Sequence, residues 1–206
     1  MTATSTTLLA AISSRAEASG SATAIKAASV VFMAVLTAAA AQVSVPLPFT
    51  PVPLTFQPMV VLLTGLVLGA RLGAASQVLY LAAGIAGLPV FAGSITLPPG
   101  ALRLLGPTGG YLLAYPLAAY VTGALAERGF DRRYLTSVLA MLAGLVVIYA
   151  SGALWLGLFA STLTGSAAIG VGAAFASGVL PFVLADVFKL ALAAGVVPSL
   201  WRLIGR

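Results

Sequence analysis

No charged side chain occurs between Lys26 and Arg71, between Arg71 and Arg103, or from Tyr134 to Ala185. Hydrocarbon-compatible runs of this length predict membrane spans, since a helix needs about 20 apolar residues to cross a bilayer. The first run is broken by Pro46, Pro48, Pro51, Pro53 and Pro58. Proline removes a backbone donor and clashes with the preceding turn, so a helix cannot continue through that cluster. The pattern therefore predicts a helix over about 25–44, a proline-rich non-helical segment, and a second helix over about 58–70. A third follows over 72–88, a fourth over 110–126 after "GPTGG", and a fifth from Tyr134 to about 160. A Gly/Ser/Ala-rich connection comes next. Only twelve residues separate Lys189 from Arg202, too few to span. The sixth helix must then start near Val179 and carry Asp186 and Lys189 inside it.

Composition agrees with that reading. Of 206 residues, 61% are hydrophobic and 7% charged, with a mean hydropathy of +1.12. Water-soluble domains carry roughly 25% charged residues. The fold class expected is an all-α integral membrane protein of six transmembrane helices with both termini cytoplasmic. Residues 1–23 read as a polar cytoplasmic tail, with one loose surface helix and no signal-peptide pattern. Residues 24–206 read as a single six-helix membrane domain.

Charge orients the spans. With the termini inside, the cytoplasm receives Arg15, Lys26, Arg71, Arg128, Arg132, Arg133, Arg202 and Arg206, while the outer loops receive Arg103 alone. That asymmetry is the positive-inside signal. The net charge of +6 follows from topology. The basic residues are scattered without interleaved aromatics, so nucleic acid is not a partner. Membrane lipid is.

Three features then call for chemistry. Asp186 and Lys189, at i and i+3, share one helix face. Each would cost about 2.5–3.5 kcal/mol facing lipid, so both must face the bundle interior or a cavity. A buried ion pair that only locks helices is the plainer alternative. Arg103 stands against the charge rule and marks the mouth of an outward-facing cavity, or else snorkels to headgroups. The proline segment tolerates membrane depth only if buried or lining a cavity. Its Thr50, Thr55 and Gln57 offer polar contacts, and Phe49 and Phe56 offer walls. Tyr80, Tyr111, Tyr149, Trp155 and Trp201 fit either an interfacial belt or ligand contacts. An amphipathic anion with a polar ring suits such a cavity.

Other chemistries lack their residues. With no histidine and no cysteine, serine- and thiol-based catalysis and Cys/His metal sites have no parts. No G-x-x-x-x-G-K-[ST] loop occurs, so any ATP-driven step must belong to another chain. We expect no catalytic residue, no metal and no cofactor.

The stretches "AVLTAAAAQVSVPLPFTPVPLTFQ", "LLTGLVLGARLGAASQVLYLAAGIAGLPVF", "GPTGGYLLAYPLAAY" and "GVLPFVLADVFKLALAA" together resemble the BioY family. Members of that family are the biotin-specific substrate-binding (S) subunits of energy-coupling factor (ECF) transporters. The resemblance implies high-affinity biotin binding and uptake across a bacterial cytoplasmic membrane by a multi-pass S-subunit. It implies two kinds of partner: a transmembrane coupling subunit and two ABC-type ATPase subunits. The family's D-x-x-K signature falls on Asp186 and Lys189. The candidate ligand-binding set adds Arg103, Gln57, Phe56, Thr55, Phe91, Gly109, Tyr111 and Tyr149. The small pair Ala34 and Ala38 resembles the patch that S-subunits present to the coupling subunit. Asp186 would accept from the ureido N–H groups and Lys189 would donate to the ureido carbonyl, or Lys189 would take the carboxylate. Arg103 or backbone N–H groups near Gly109 also suit that carboxylate. A carrier for another small anionic vitamin, or a structural or regulatory membrane subunit, is the alternative.

Overall fold

The computed structural model describes residues 7–16, 21–94, 97–159 and 169–203. Its described helices are α1 (Leu8–Ala16), α2 (Ala22–Gln42), α3 (Gln57–Leu68), α4 (Ala70–Ile85), α5 (Leu102–Leu105), α6 (Gly109–Leu125), α7 (Tyr134–Leu158), α8 (Val171–Gly178), α9 (Leu180–Ala193) and α10 (Val196–Leu203). Between α2 and α3 lie two short strands, β1 (Ser44–Val45) and β2 (Leu54–Thr55). They pair antiparallel, with Ser44 opposite Thr55. The proline segment is thus non-helical, as its composition dictates. Its ends close on each other as a hairpin, a pairing that proline spacing does not reveal.

Three stretches are long and apolar enough to cross a membrane: α2, α7, and Leu180–Leu203, which joins α9 and α10. The others are shorter, α3 having 12 residues, α4 16 and α6 17. The reason for the short α3 is Gly69, which lies between α3 and α4 at φ +84°. That left-handed value is open to glycine at little steric cost. It turns the chain in a single residue, so α3 and α4 form a helical hairpin without a loop.

The expected sixth helix is interrupted. It comprises α9 and α10, which meet at Ala194–Gly195. Before it, part of the expected Gly/Ser/Ala connection is helical, as α8, and only Val179 separates α8 from α9. Val179 has φ −123° and ψ −61°, and Pro181 lies in the first turn of α9. Proline tolerates that position because its missing N–H would have no intrahelical partner there. Residues 160–168 of the connection lie outside the described residues.

Helix α6 is the centre of the bundle, packing on α3, α4 and α7. Small residues make this possible. A Cβ at Gly123 would stand 2.6 Å from Ala70 Cα, and one at Gly65 would stand 3.0 Å from the Thr122 Cβ. Without a hydrophobic drive between helices in lipid, such close approach supplies the dispersion that holds spans together.

The end of the bundle away from the hairpin is tied by polar contacts. Glu127, in a π-helical turn over Ala126–Phe130, accepts from the Ala70 N–H at 2.9 Å and so caps α4. Asp131 is fully buried and accepts from Trp201 Nε1 at 2.7 Å. The Arg132 guanidinium lies 3.6 Å over the Trp201 ring, with its Nε 3.3 Å from Asp131 Oδ1. These contacts fasten α10 to the α6–α7 connection. Loss of solvent around Asp131 raises its carboxyl pKa above the usual value, and the Trp201 and Arg132 contacts oppose that shift without cancelling it. At the same end α1 is packed rather than loose. Leu8 and Ala11 join the main core, and Leu9 packs with Met33 and Leu68.

Candidate functional site

A cavity of about 1260 Å³ opens among the hairpin, the connection from α4 to α6, and helices α6, α7, α8 and α9. Its walls are mostly apolar, with Pro51, Val52, Leu112, Ile148 and Phe182 among them. The polar floor is built from three elements. Asp186, on α9, has a side chain only 6% exposed. Its Oδ1 accepts from Lys189 Nζ at 2.7 Å, one turn along the same helix. Its Oδ2 accepts from Tyr149 Oη on α7, also at 2.7 Å. A buried carboxylate needs such donors to remain charged without a large penalty.

Lys189 faces the hairpin. Besides Asp186, its ammonium donates to the Thr55 carbonyl of β2 at 2.8 Å and lies 5.2 Å from the Phe56 ring. It is 8% exposed and stands behind Asp186, outside the cavity wall. Phe56 also stands outside the wall and is 41% exposed. Thr55 and Gln57 do line it. Gln57 Nε2 donates to Tyr80 Oη at 2.6 Å, and Tyr80 donates onward to the Val90 carbonyl at 3.2 Å. That relay ties the start of α3 to the loop after α4. Phe91 packs edge-on against Tyr80 at 5.5 Å and faces the cavity. Of the remaining hairpin residues, Thr50 lines the cavity and Phe49 is exposed.

Arg103, on α5, stands at the rim. Its Nε donates to Pro98 O at 3.0 Å and its Nη1 to Ala92 O at 2.7 Å. Both acceptors are neutral, so the contacts fold the loop around the guanidinium without cancelling its charge. Partial burial lowers its pKa from the usual guanidinium value, yet it remains a cation at any physiological pH. Tyr111 lines the cavity and donates to the Gly178 carbonyl at 2.8 Å, holding α8 against α6. Gly109 is buried in packing below Trp155, and its N–H is engaged by the Gly106 carbonyl.

The structure therefore brings Asp186, Tyr149, Thr55, Gln57, Phe91, Tyr111 and Arg103 around one space, with Lys189 behind them. It adds Gln42, Tyr115 and Phe182 to that wall. Tyr115 and Phe182 were findable in the sequence, for each lies four residues from a candidate on its own helix, Tyr111 or Asp186. Gln42, at the end of an apolar helix, carried no such signal. Ala34 and Ala38 lie elsewhere. Ala34 is 7% exposed and packed in the core, Ala38 is half-buried against it, and the open face of α2 carries Val31, Phe32 and Val35.

The family model described as the BioY family matches residues 12–206. The chain belongs to the BioY family. A BioY relative from Pyrococcus horikoshii, the "Probable biotin transporter BioY", is 43% identical over 165 residues, covering 80% of this chain and 89% of that protein. The "Biotin transporter BioY" of Thermotoga maritima is 36% identical over 157 residues, covering 76% and 85%. Among solved structures, the S-component for biotin from an ECF-type ABC transporter is similar, with a TM-score of 0.74 and 26% identity. It covers 86% of this chain and 90% of that one. Like its BioY relatives, the chain is a multi-pass membrane protein.

Proposed function

We propose that this chain binds biotin and serves in its uptake as the substrate-specific S-subunit of an ECF-type transporter. One observation carries the reading. A buried carboxylate, Asp186, forms the floor of a largely apolar cavity with a cationic rim, in a chain whose relatives and structural neighbour are named for biotin. Biotin presents a ureido ring with two N–H donors and one carbonyl, an apolar bicycle and chain, and a terminal carboxylate. Asp186 accepts a ureido N–H. The apolar walls cover the bicycle, and Arg103 faces the carboxylate. Lys189 acts through its neighbours, pairing with Asp186 and holding the hairpin by Thr55.

In this reading six spans cross the membrane, formed by α2, α3, α4, α6, α7 and the α9–α10 stretch, with both termini cytoplasmic. The positive-inside distribution supports that count, and so does the helical hairpin at Gly69. The membrane is the bacterial cytoplasmic one. A transmembrane coupling subunit docks along the open face of α2 at Val31, Phe32 and Val35, rather than on the core-facing Ala34, and two ABC-type ATPases supply the energy that this chain has no motif to supply. The protein is a transporter subunit, not an enzyme, as its family implies.

Isothermal titration of biotin into the detergent-purified chain tests the assignment, with Asp186→Asn alongside. Tight one-site binding that the folded variant loses is the expected result. Absence of heat from well-folded wild-type protein would sink the biotin assignment and leave the fold intact.

A further inference from the structure

Among the tyrosines near the cavity, three have hydroxyls already engaged. Tyr111 donates to Gly178 O, Tyr149 to Asp186 Oδ2 and Tyr80 to Val90 O. Tyr115 is the exception. It lines the cavity from α6, is only 3% exposed, and stacks on Tyr80 with ring centroids 6.3 Å apart. No hydrogen bond holds its hydroxyl among the described residues, and Asp186 lines the same cavity. The hydroxyl is not among the sealed, unpaired polar atoms of the described residues, so a group entering the cavity can reach a donor that no protein acceptor occupies.

A cyclic urea would bring such a group. Its N–H groups need acceptors, which Asp186 provides. Its carbonyl needs a donor. Lys189 has turned two of its three N–H bonds to Asp186 and Thr55 and lies outside the wall. The Gln57 amide has committed one of its two N–H bonds to Tyr80, which fixes where the group points. Arg103 is held at the rim by two loop carbonyls. The geometry points to Tyr115 as the residue that reads the ureido carbonyl, donating to it while Asp186 accepts from a ureido N–H. This rests on the biotin reading of the cavity. It makes Tyr115 a specificity determinant for a ring carbonyl oxygen, because a thiocarbonyl sulfur accepts a hydrogen bond poorly.

The test compares biotin with 2-thiobiotin, by titration into the wild-type chain and into Tyr115→Phe, which keeps the ring and its stacking on Tyr80. A net hydrogen bond of ordinary strength corresponds to roughly three- to tenfold in Kd. The wild type is expected to prefer biotin over 2-thiobiotin by about that factor. The variant is expected to lose it for biotin alone, so that the two ligands bind it alike, with an unchanged thermal midpoint without ligand. Failure takes separable forms. A wild type that binds neither ligand defeats the biotin assignment itself. A wild type that binds both equally, or a variant that weakens both and keeps the preference, leaves the biotin assignment standing and overturns the role given to Tyr115. If Tyr115→Phe does not fold, equal binding of the two ligands by the wild type still overturns the role.

Discussion

Removing the ammonium of Lys189 would leave a carboxylate buried at the centre of a membrane bundle, with Tyr149 as its remaining partner. Breaking a buried pair from one side costs about 3–5 kcal/mol, whereas replacing both partners with apolar groups is often neutral. Lys189→Met should therefore lower the thermal midpoint strongly, and Asp186→Leu combined with Lys189→Met should recover most of that loss without recovering biotin binding. Recovery of binding in the double variant would show that the pair is packing alone. Asp131 gives a second residue-scale case, with the opposite sign from an ordinary paired carboxylate. Its pKa is raised in the folded state from 3.8, so the folded state holds the proton more tightly than the unfolded one. Stability then declines as pH rises from the unfolded value through the folded one. Asp131→Asn, which keeps an acceptor for Trp201, should raise the midpoint at pH 7, and the gain should vanish as pH approaches 4. A gain that persists at pH 4 would exclude the titration of Asp131 as its cause.

Two elements depend on contacts that involve no ligand. The hairpin of β1 and β2 is held on the bundle by the Lys189 bond to the Thr55 carbonyl and by the Gln57–Tyr80–Val90 relay. Hydrogen exchange should report this directly. Lys189→Met should speed exchange across residues 44–55 while leaving α6 protected, and unchanged exchange there would show that the ammonium does not tether the hairpin. The contact of α6 with the α3–α4 hairpin relies on bare backbone at Gly123. A Cβ there meets backbone, which cannot rotate away, so Gly123→Ala should destabilise by about 1–3 kcal/mol through overpacking. A thermal midpoint equal to that of the wild type would mean the helices separate at little cost.

For the molecule as a whole, topology is the property still open to direct measurement. The chain contains no cysteine, so a single introduced one reports its own side without background. Ser94→Cys, in the loop before α5, should react with an impermeant maleimide added to intact cells. Arg128→Cys, in the π-helical turn, should react only after lysis. The reverse pattern would invert the bundle and put the cavity on the cytoplasmic face. Size bears on function as well. A cavity of about 1260 Å³ exceeds the ~300–1,000 Å³ of ordinary ligand sites and so has ample room for a small bicyclic ligand.

How much of this was open to reading from residues alone depends on range. Helix existence follows from local physics: hydrocarbon excludes charge and requires backbone hydrogen bonds within each span, so charge-free runs and prolines located α2, α3, α4, α6 and α7 to within a few residues. The burial of Asp186 and Lys189 followed from the same exclusion. Three-dimensional packing decided the rest. It closed the proline segment into a hairpin, split the last helix at Ala194–Gly195, turned Ala34 into the core, and moved Lys189 and Phe56 behind the cavity wall. It also brought Tyr149 from α7 to the Asp186 carboxylate and Tyr115 from α6 to the wall of the same cavity. The physical reason is that membrane insertion selects on each segment's own composition, whereas the aim of a side chain depends on which neighbours its helix meets, and those neighbours lie far away in the chain.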